Sequence, residues 1–181
     1  VTTPPFAPVT AADIRVVSEQ LGREARGVVG ISARCVCGNP TVVSTAPRLE
    51  NGSPFPTFYY LTHPAATAEM SRLEAGQVMV EMNQHLAEDD EARAQYTAAH
   101  EAFLADRAQF GEVPEIDGIS AGGMPTRVKC LHALAGHALA AGQGVNPLGD
   151  EALRRSAWSP ERCECVDPGA ALRGEPAGVT G

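Results

Sequence analysis

Long apolar runs are missing from this chain. Nothing in it approaches the roughly 20 consecutive apolar residues that a membrane-spanning helix needs, so no membrane insertion is expected. Positive charge is scarce as well. Fourteen basic against 22 acidic side chains give a formal charge of −8, which repels a phosphate backbone and argues against nucleic-acid binding. The first residues, VTTPPFAPVT, lack the basic region and apolar segment of a secretory leader, so the expected location is the cytoplasm. Five cysteines are an odd number, and without a leader they read as reduced thiols or metal ligands rather than a disulfide framework. Several catalytic signatures are also absent: no G-x-S-x-G elbow, H-E-x-x-H helix, dinucleotide fingerprint or G-x-x-x-x-G-K-[ST] loop occurs.

What remains is a chain of 181 residues, 44% hydrophobic, which is enough to bury a real core and fits one domain better than two. Residues 1–9 carry three prolines and read as a flexible lead-in; residues 10–158 form the expected domain, and the Pro/Gly-rich stretch 159–181 reads as a flexible tail. Thr10 followed by Asp13 resembles a capping box, so a helix should start there, bury Ile14, Val17 and Leu21, and end at Gly22. GVVGISARCVC and PTVVSTA, separated by a turn at Cys37 to Pro40, read as a hairpin, and Thr57 to Thr62 has the composition of a third strand. From Pro64 the pattern becomes helical: one segment to Gly76, a short one from Val78 to about Leu86, and a longer one from Glu88 to Phe110 whose acidic start suits the helix dipole. Pro125 and Gly142 frame a further apolar helix of about 17 residues, and Glu151 to Trp158 a short amphipathic one. The fold class is therefore α+β, a small antiparallel sheet of about three strands packed against several helices.

Three blocks, CVCGNPTVVSTAPRLENGSPFPTFYYLTHP, SRLEAGQVMVEM and GGMPTRVKCLHALAGHALAAGQGVNPLGD, resemble the successive signatures of the bacterial family known as domain of unknown function 501. The likeness runs from about Ile14 to Trp158, and it implies no particular activity. The family pattern usually has LTCP where this chain has Leu61-Thr62-His63-Pro64. Cysteine and histidine are both zinc ligands, so a metal site would permit that exchange, as would a buried small position.

Candidate metal ligands are Cys35, Cys37, His63 and Cys130, with zinc as the candidate cofactor. The C-x-C of Cys35 and Cys37 starts its side chains about 6.6 Å apart on an extended strand, so the chain must bend near Gly38 for both to reach one ion. Cys130 and His132 are the catalytic candidates. On a regular helix, however, residues two apart point about 200° from one another and cannot share an ion. The second C-x-C, Cys163 and Cys165, falls in the expected tail, where exposed thiols would bind metal only adventitiously. A second site needs no metal: Gly122 and Gly123 lead into a helix start whose free N–H groups, with Arg127 and Lys129, could hold a small anionic ligand. The leading expectation is a cytosolic ligand-binding or regulatory protein. The alternatives are an enzyme acting on a small phosphorylated or carboxylated compound through Cys130 or a bound metal, and a structural partner in a cell-division or envelope assembly.

Overall fold

The computed structural model describes residues 6–173. Residues 1–5 of the expected lead-in and 174–181 of the expected tail lie outside the described residues. Helix α1 (Ala11–Leu21) begins as a capping box: Thr10 Oγ1 accepts from the Asp13 N–H at 3.1 Å, and Asp13 accepts from the Thr10 N–H at 3.0 Å. Gly22, at φ 67°, closes the helix in the left-handed region that glycine tolerates. Strands β1 (Val28–Arg34), β2 (Pro40–Thr45) and β3 (Tyr59–Leu61) form an antiparallel sheet in the order β1-β2-β3.

Side chains alternate across a strand, and here the alternation assigns each face a partner. Val43 and Ile31 pack with Val17 of α1, while Val42, Tyr59 and Leu61 face the larger core built by the later helices. Every residue of β2 is buried, as a central strand covered on both faces should be. Those later helices are α2 (Pro64–Ala75), α3 (Val78–Glu88), α4 (Asp90–Ala108), α5 (Leu131–Ala141) and α6 (Pro147–Arg155). The acidic run before α4 has a structural use: Asp89 accepts from the Ala92 N–H at 3.0 Å and caps the helix. None of these helices is long and apolar enough to cross a membrane.

Two expectations from the sequence are corrected. The core helix does not begin at Pro125 but at Leu131. Residues 122–130 instead make a compact loop with a cis Met124–Pro125 bond, in which the Gly122 and Gly123 carbonyls accept from Thr126, Arg127, Lys129 and Cys130. Both glycines have positive φ, and a Cβ on Gly123 would sit 2.5 Å from the Arg127 carbonyl oxygen. Asn83 of α3 then clamps Val128, donating to its carbonyl at 2.9 Å and accepting from its N–H at 2.7 Å, which diverts that backbone from helical pairing. Likewise α6 starts at Pro147 rather than Glu151, because Asn146 caps it by accepting from the Gly149 N–H at 3.0 Å.

Helix α5 is buried on nearly every face and carries His137 into the core. His137 stacks on Tyr59 with ring centroids 5.5 Å apart, and its Nδ1 lies 3.2 Å from Asn146 Nδ2, which donates to it. Burial holds the imidazole down at about 4 against an ordinary value near 6.5. The folded state therefore favours neutral His137, and its contribution, complete above about pH 6.5, is lost as pH falls toward 4. The difference corresponds to about 3 kcal/mol. Urea unfolding at a series of pH values should show His137→Phe losing less stability than the parent between pH 6.5 and 4; identical slopes would contradict the assignment.

Candidate metal centre

The hairpin between β1 and β2 turns through Cys35 to Asn39, with the Cys35 N–H donating to the Asn39 carbonyl at 2.9 Å and the Gly38 N–H to the Cys35 carbonyl at 2.8 Å. Gly38 takes φ 90°. This bend removes the separation that an extended C-x-C would impose, so Cys35 and Cys37 direct their sulfurs to one point.

The other side of that point comes from the segment expected to be tail. Residues 159–173 pack against the hairpin tip: the Val36 N–H donates to the Pro160 carbonyl at 3.3 Å, and Leu172 lies over Gly38. Asn39, buried at the turn, ties the two chains together. Its Nδ2 donates to the Asp167 carbonyl at 2.8 Å and its Oδ1 accepts from the Ala171 N–H at 2.9 Å. Arg15 of α1 adds a bond to the Ala170 carbonyl at 3.4 Å. Composition gave this stretch no apolar period of its own, and its order comes from backbone groups satisfied by distant side chains.

The result is a four-cysteine cluster. The sulfurs of Cys35, Cys37, Cys163 and Cys165 all lie within 4.8 Å of one another, with Cys37 and Cys165 at 3.6 Å. Zinc–thiolate bonds of about 2.3 Å in a tetrahedron place sulfurs about 3.8 Å apart, so these side chains could hold a metal such as zinc. The electrostatics agree. Burial pushes the Cys35 and Cys165 thiols up; the Cys37 and Cys35 sulfurs raise Cys165 further, whereas at Cys35 the Cys37 backbone N–H and the Cys165 thiol partly offset the rise. Burial also opposes ionisation of Cys37, yet the backbone N–H groups of Asn39 and Gly169 aimed at its sulfur bring it down to about 7. Sulfurs this close cannot all ionise without a cation among them.

Of the residues expected to share a metal, the structure brings Cys35 and Cys37 together and separates them from Cys130. His63 stands beside the cluster. Its Nδ1 accepts from the Ala66 N–H at 3.5 Å, capping α2, which leaves the proton on Nε2, 3.3 Å from the Cys165 sulfur. Fully buried against Trp158, it is placed to donate to that sulfur and orient it, as partners of metal ligands do. Cys163 and Cys165 were the residues that sequence reasoning set aside. The signal that could have found them was the repeated C-x-C, since structural zinc sites are commonly built from two spaced pairs.

Cys130 belongs to a second cluster, at the α2–α5 contact. It is the N-cap of α5, with extended backbone (φ −151°, ψ 112°), so the helical rule that would turn it away from His132 does not apply. Its sulfur lies 3.9 Å from His132 Nδ1, which is 3.1 Å from Glu74 Oε1. Burial works against ionisation of Cys130, but His132 and the Ala133 N–H lower it below its ordinary value. The Cys130 sulfur, and then Glu74 against the opposing effect of burial, raise His132 to about 9.

The expected anion site is rearranged. Because the helix starts at Leu131, Gly122 and Gly123 do not lead into a helix N-terminus, and the N–H groups of Arg127 and Lys129 are spent on the glycine carbonyls. Lys129 instead lines a cavity with Gly122, Cys130 and His132.

Together these features define an α+β domain whose hairpin tip and C-terminal arm meet in a cluster of thiols. The family described as Protein of unknown function (DUF501) matches residues 31–154, and the chain belongs to that family. The matched region contains Cys35 and Cys37 and stops short of Cys163 and Cys165. Comparison with curated proteins and with solved structures gave no match.

Asn39 holds both arms of the cluster without contributing a ligand. If the cluster holds zinc, Asn39→Ala should weaken its affinity about 10–100-fold, measured by competition with a chromophoric chelator. Unchanged affinity would show that the arms hold their positions without it.

Proposed function

We propose that the protein binds one zinc ion through Cys35, Cys37, Cys163 and Cys165, and that this ion fastens the 159–173 segment to the β1–β2 hairpin. The observation that carries the reading is the approach of four sulfurs from two distant C-x-C pairs to within 4.8 Å of one another. Four protein ligands leave no open coordination position, so such an ion holds structure rather than activating water. Metal-held closure of a C-terminal arm suits a regulatory or ligand-binding protein, in which gain or loss of the ion changes what the hairpin face presents. Thiolates must remain reduced to hold zinc, which favours the reducing environment of the cytoplasm.

The anion reading at Gly122, Gly123, Arg127 and Lys129 has weaker support. The cationic side chains remain, but the free N–H groups that would have held the anion are paired within the loop.

Elemental mass spectrometry on tag-free protein, purified under reducing conditions without added metal, should find zinc, and Cys35→Ser and Cys163→Ser should each lower the count by one ion per chain and lower the melting temperature, as a strong chelator should in the parent. Protein free of metal, or a zinc count unchanged in both variants, would overturn the reading.

A further inference from the structure

The cluster of Glu74, Cys130 and His132 is independent of the four cysteines, and its geometry is that of a metal site with one position left open. Donor atoms of the three residues lie within 4.8 Å of one another. Tetrahedral zinc with one sulfur, one nitrogen and one oxygen ligand needs edges of about 3.3 to 3.6 Å. The observed 3.1 Å from nitrogen to oxygen and 3.9 Å from sulfur to nitrogen bracket that range.

Each ligand is also oriented by a neighbour. His132 Nε2 lies 3.1 Å from the Thr67 carbonyl oxygen, which can only accept, so Nε2 carries a proton and Nδ1 is the ring atom that faces the cluster, where a bound cation would take the place of the Nδ1 proton. That arrangement, one ring nitrogen at the ion and the other donating to a carbonyl, is the usual setting of a metal-bound histidine. Glu74 Oε1 accepts from the Leu131 N–H at 2.7 Å, which fixes the carboxylate against the first turn of α5. Cys130, as N-cap, swings its sulfur to the same side. A hydrolytic triad would place the carboxylate on the imidazole nitrogen remote from the nucleophile; here sulfur and carboxylate converge on the same nitrogen, an arrangement that suits a shared positive charge rather than a relay.

The open side is formed by a cavity of about 530 Å³. Cys130 and His132 line it together with Lys129, Tyr60, Thr62 and Thr67. We infer that Glu74, Cys130 and His132 bind a second divalent metal ion, zinc or a similar borderline cation. Its fourth position faces this cavity and takes water or the oxygen of a small anionic ligand, with Lys129 supplying charge complementarity on the wall. Three protein ligands plus an exchangeable one is the arrangement by which zinc activates water or polarises a bound oxygen.

The test is a metal count followed by a spectrum. Full-length protein, dialysed against cobalt(II) and freed of excess, should hold two divalent ions per chain. Cys130→Ser, His132→Ala and Glu74→Gln should each hold one while still unfolding in a single cooperative transition; Glu74→Gln keeps an acceptor for the Leu131 N–H. Cys35→Ser should also hold one, and its cobalt spectrum should show the weak sulfur charge-transfer band of a single thiolate. Azide should shift the visible cobalt bands of Cys35→Ser, whereas unmoved bands would overturn the open position.

A single ion in the parent that Cys35→Ser removes and Cys130→Ser keeps would overturn this site while leaving the four-cysteine reading intact. A single ion with the opposite dependence would do the reverse. Should the parent hold no ion here while Cys130 reacts with a neutral aromatic disulfide at low pH in a His132-dependent way, the pair would be a thiolate and imidazolium without metal, and the inference would fail.

Discussion

Helix α5 can occupy the centre of the molecule because two glycines leave room for its backbone. At Gly136 a Cβ would already touch the Leu61 N–H and Tyr59 carbonyl at 3.6 Å, so the helix lies directly on strand β3. At Gly149 of α6 a Cβ would collide with the Leu134 carbonyl, so α6 closes on the other side of the same helix. Close approach of this kind gathers dispersion contacts that larger side chains would hold apart. It also explains the composition of α5, in which alanines and Gly136 separate the few large residues.

From that placement both clusters follow, though by different routes. The N-terminal end of α5 delivers Cys130 and His132 beside α2, where Glu74 meets them. Because the helix is immobilised along its length, these side chains extend from a rigid support, and Thr67 and Leu131 direct them through backbone groups rather than through flexible partners. The four-cysteine cluster forms where the chain turns between β1 and β2 and returns after α6. There the supporting elements are turns. Turns hold ligands poorly unless something ties them down, and Asn39, Arg15 and Leu172 are what the chain supplies for that purpose.

The two clusters differ in the chemistry they allow. Thiol groups alone, crowded and half-buried, favour a closed site whose ion adds to folding free energy. A mixed set of sulfur, nitrogen and carboxylate oxygen beside a cavity leaves a position for exchange. The domain thus presents one cluster of four thiols suited to holding structure and one mixed cluster beside a cavity.

Legibility followed the range of the interactions involved. The capping box at Thr10 and Asp13, the two β-branched runs of the hairpin, the Pro64 helix start and the acidic cap of α4 were readable because each depends on residues within a few positions of one another. The start of α5 was misread, since Pro125 is a good local helix opener, and only Asn83, far away in sequence, shows why residues 122–130 cannot be helical. That single displacement also hid the Cys130–His132 pair, whose alignment depends on Cys130 being a cap rather than a helical residue. The fourfold thiol cluster was hidden for a related reason: Cys163 and Cys165 lie in a stretch without hydrophobic period, and its order is imposed by Asn39 across 128 and 132 residues of separation. Sequence alone therefore determined the fold class, the strand and helix inventory and the residue types available for metal chemistry, because local sterics, capping and periodicity are encoded nearby. Tertiary structure decided which of those residues meet, because convergence of side chains from distant elements depends on packing that no short window of sequence contains.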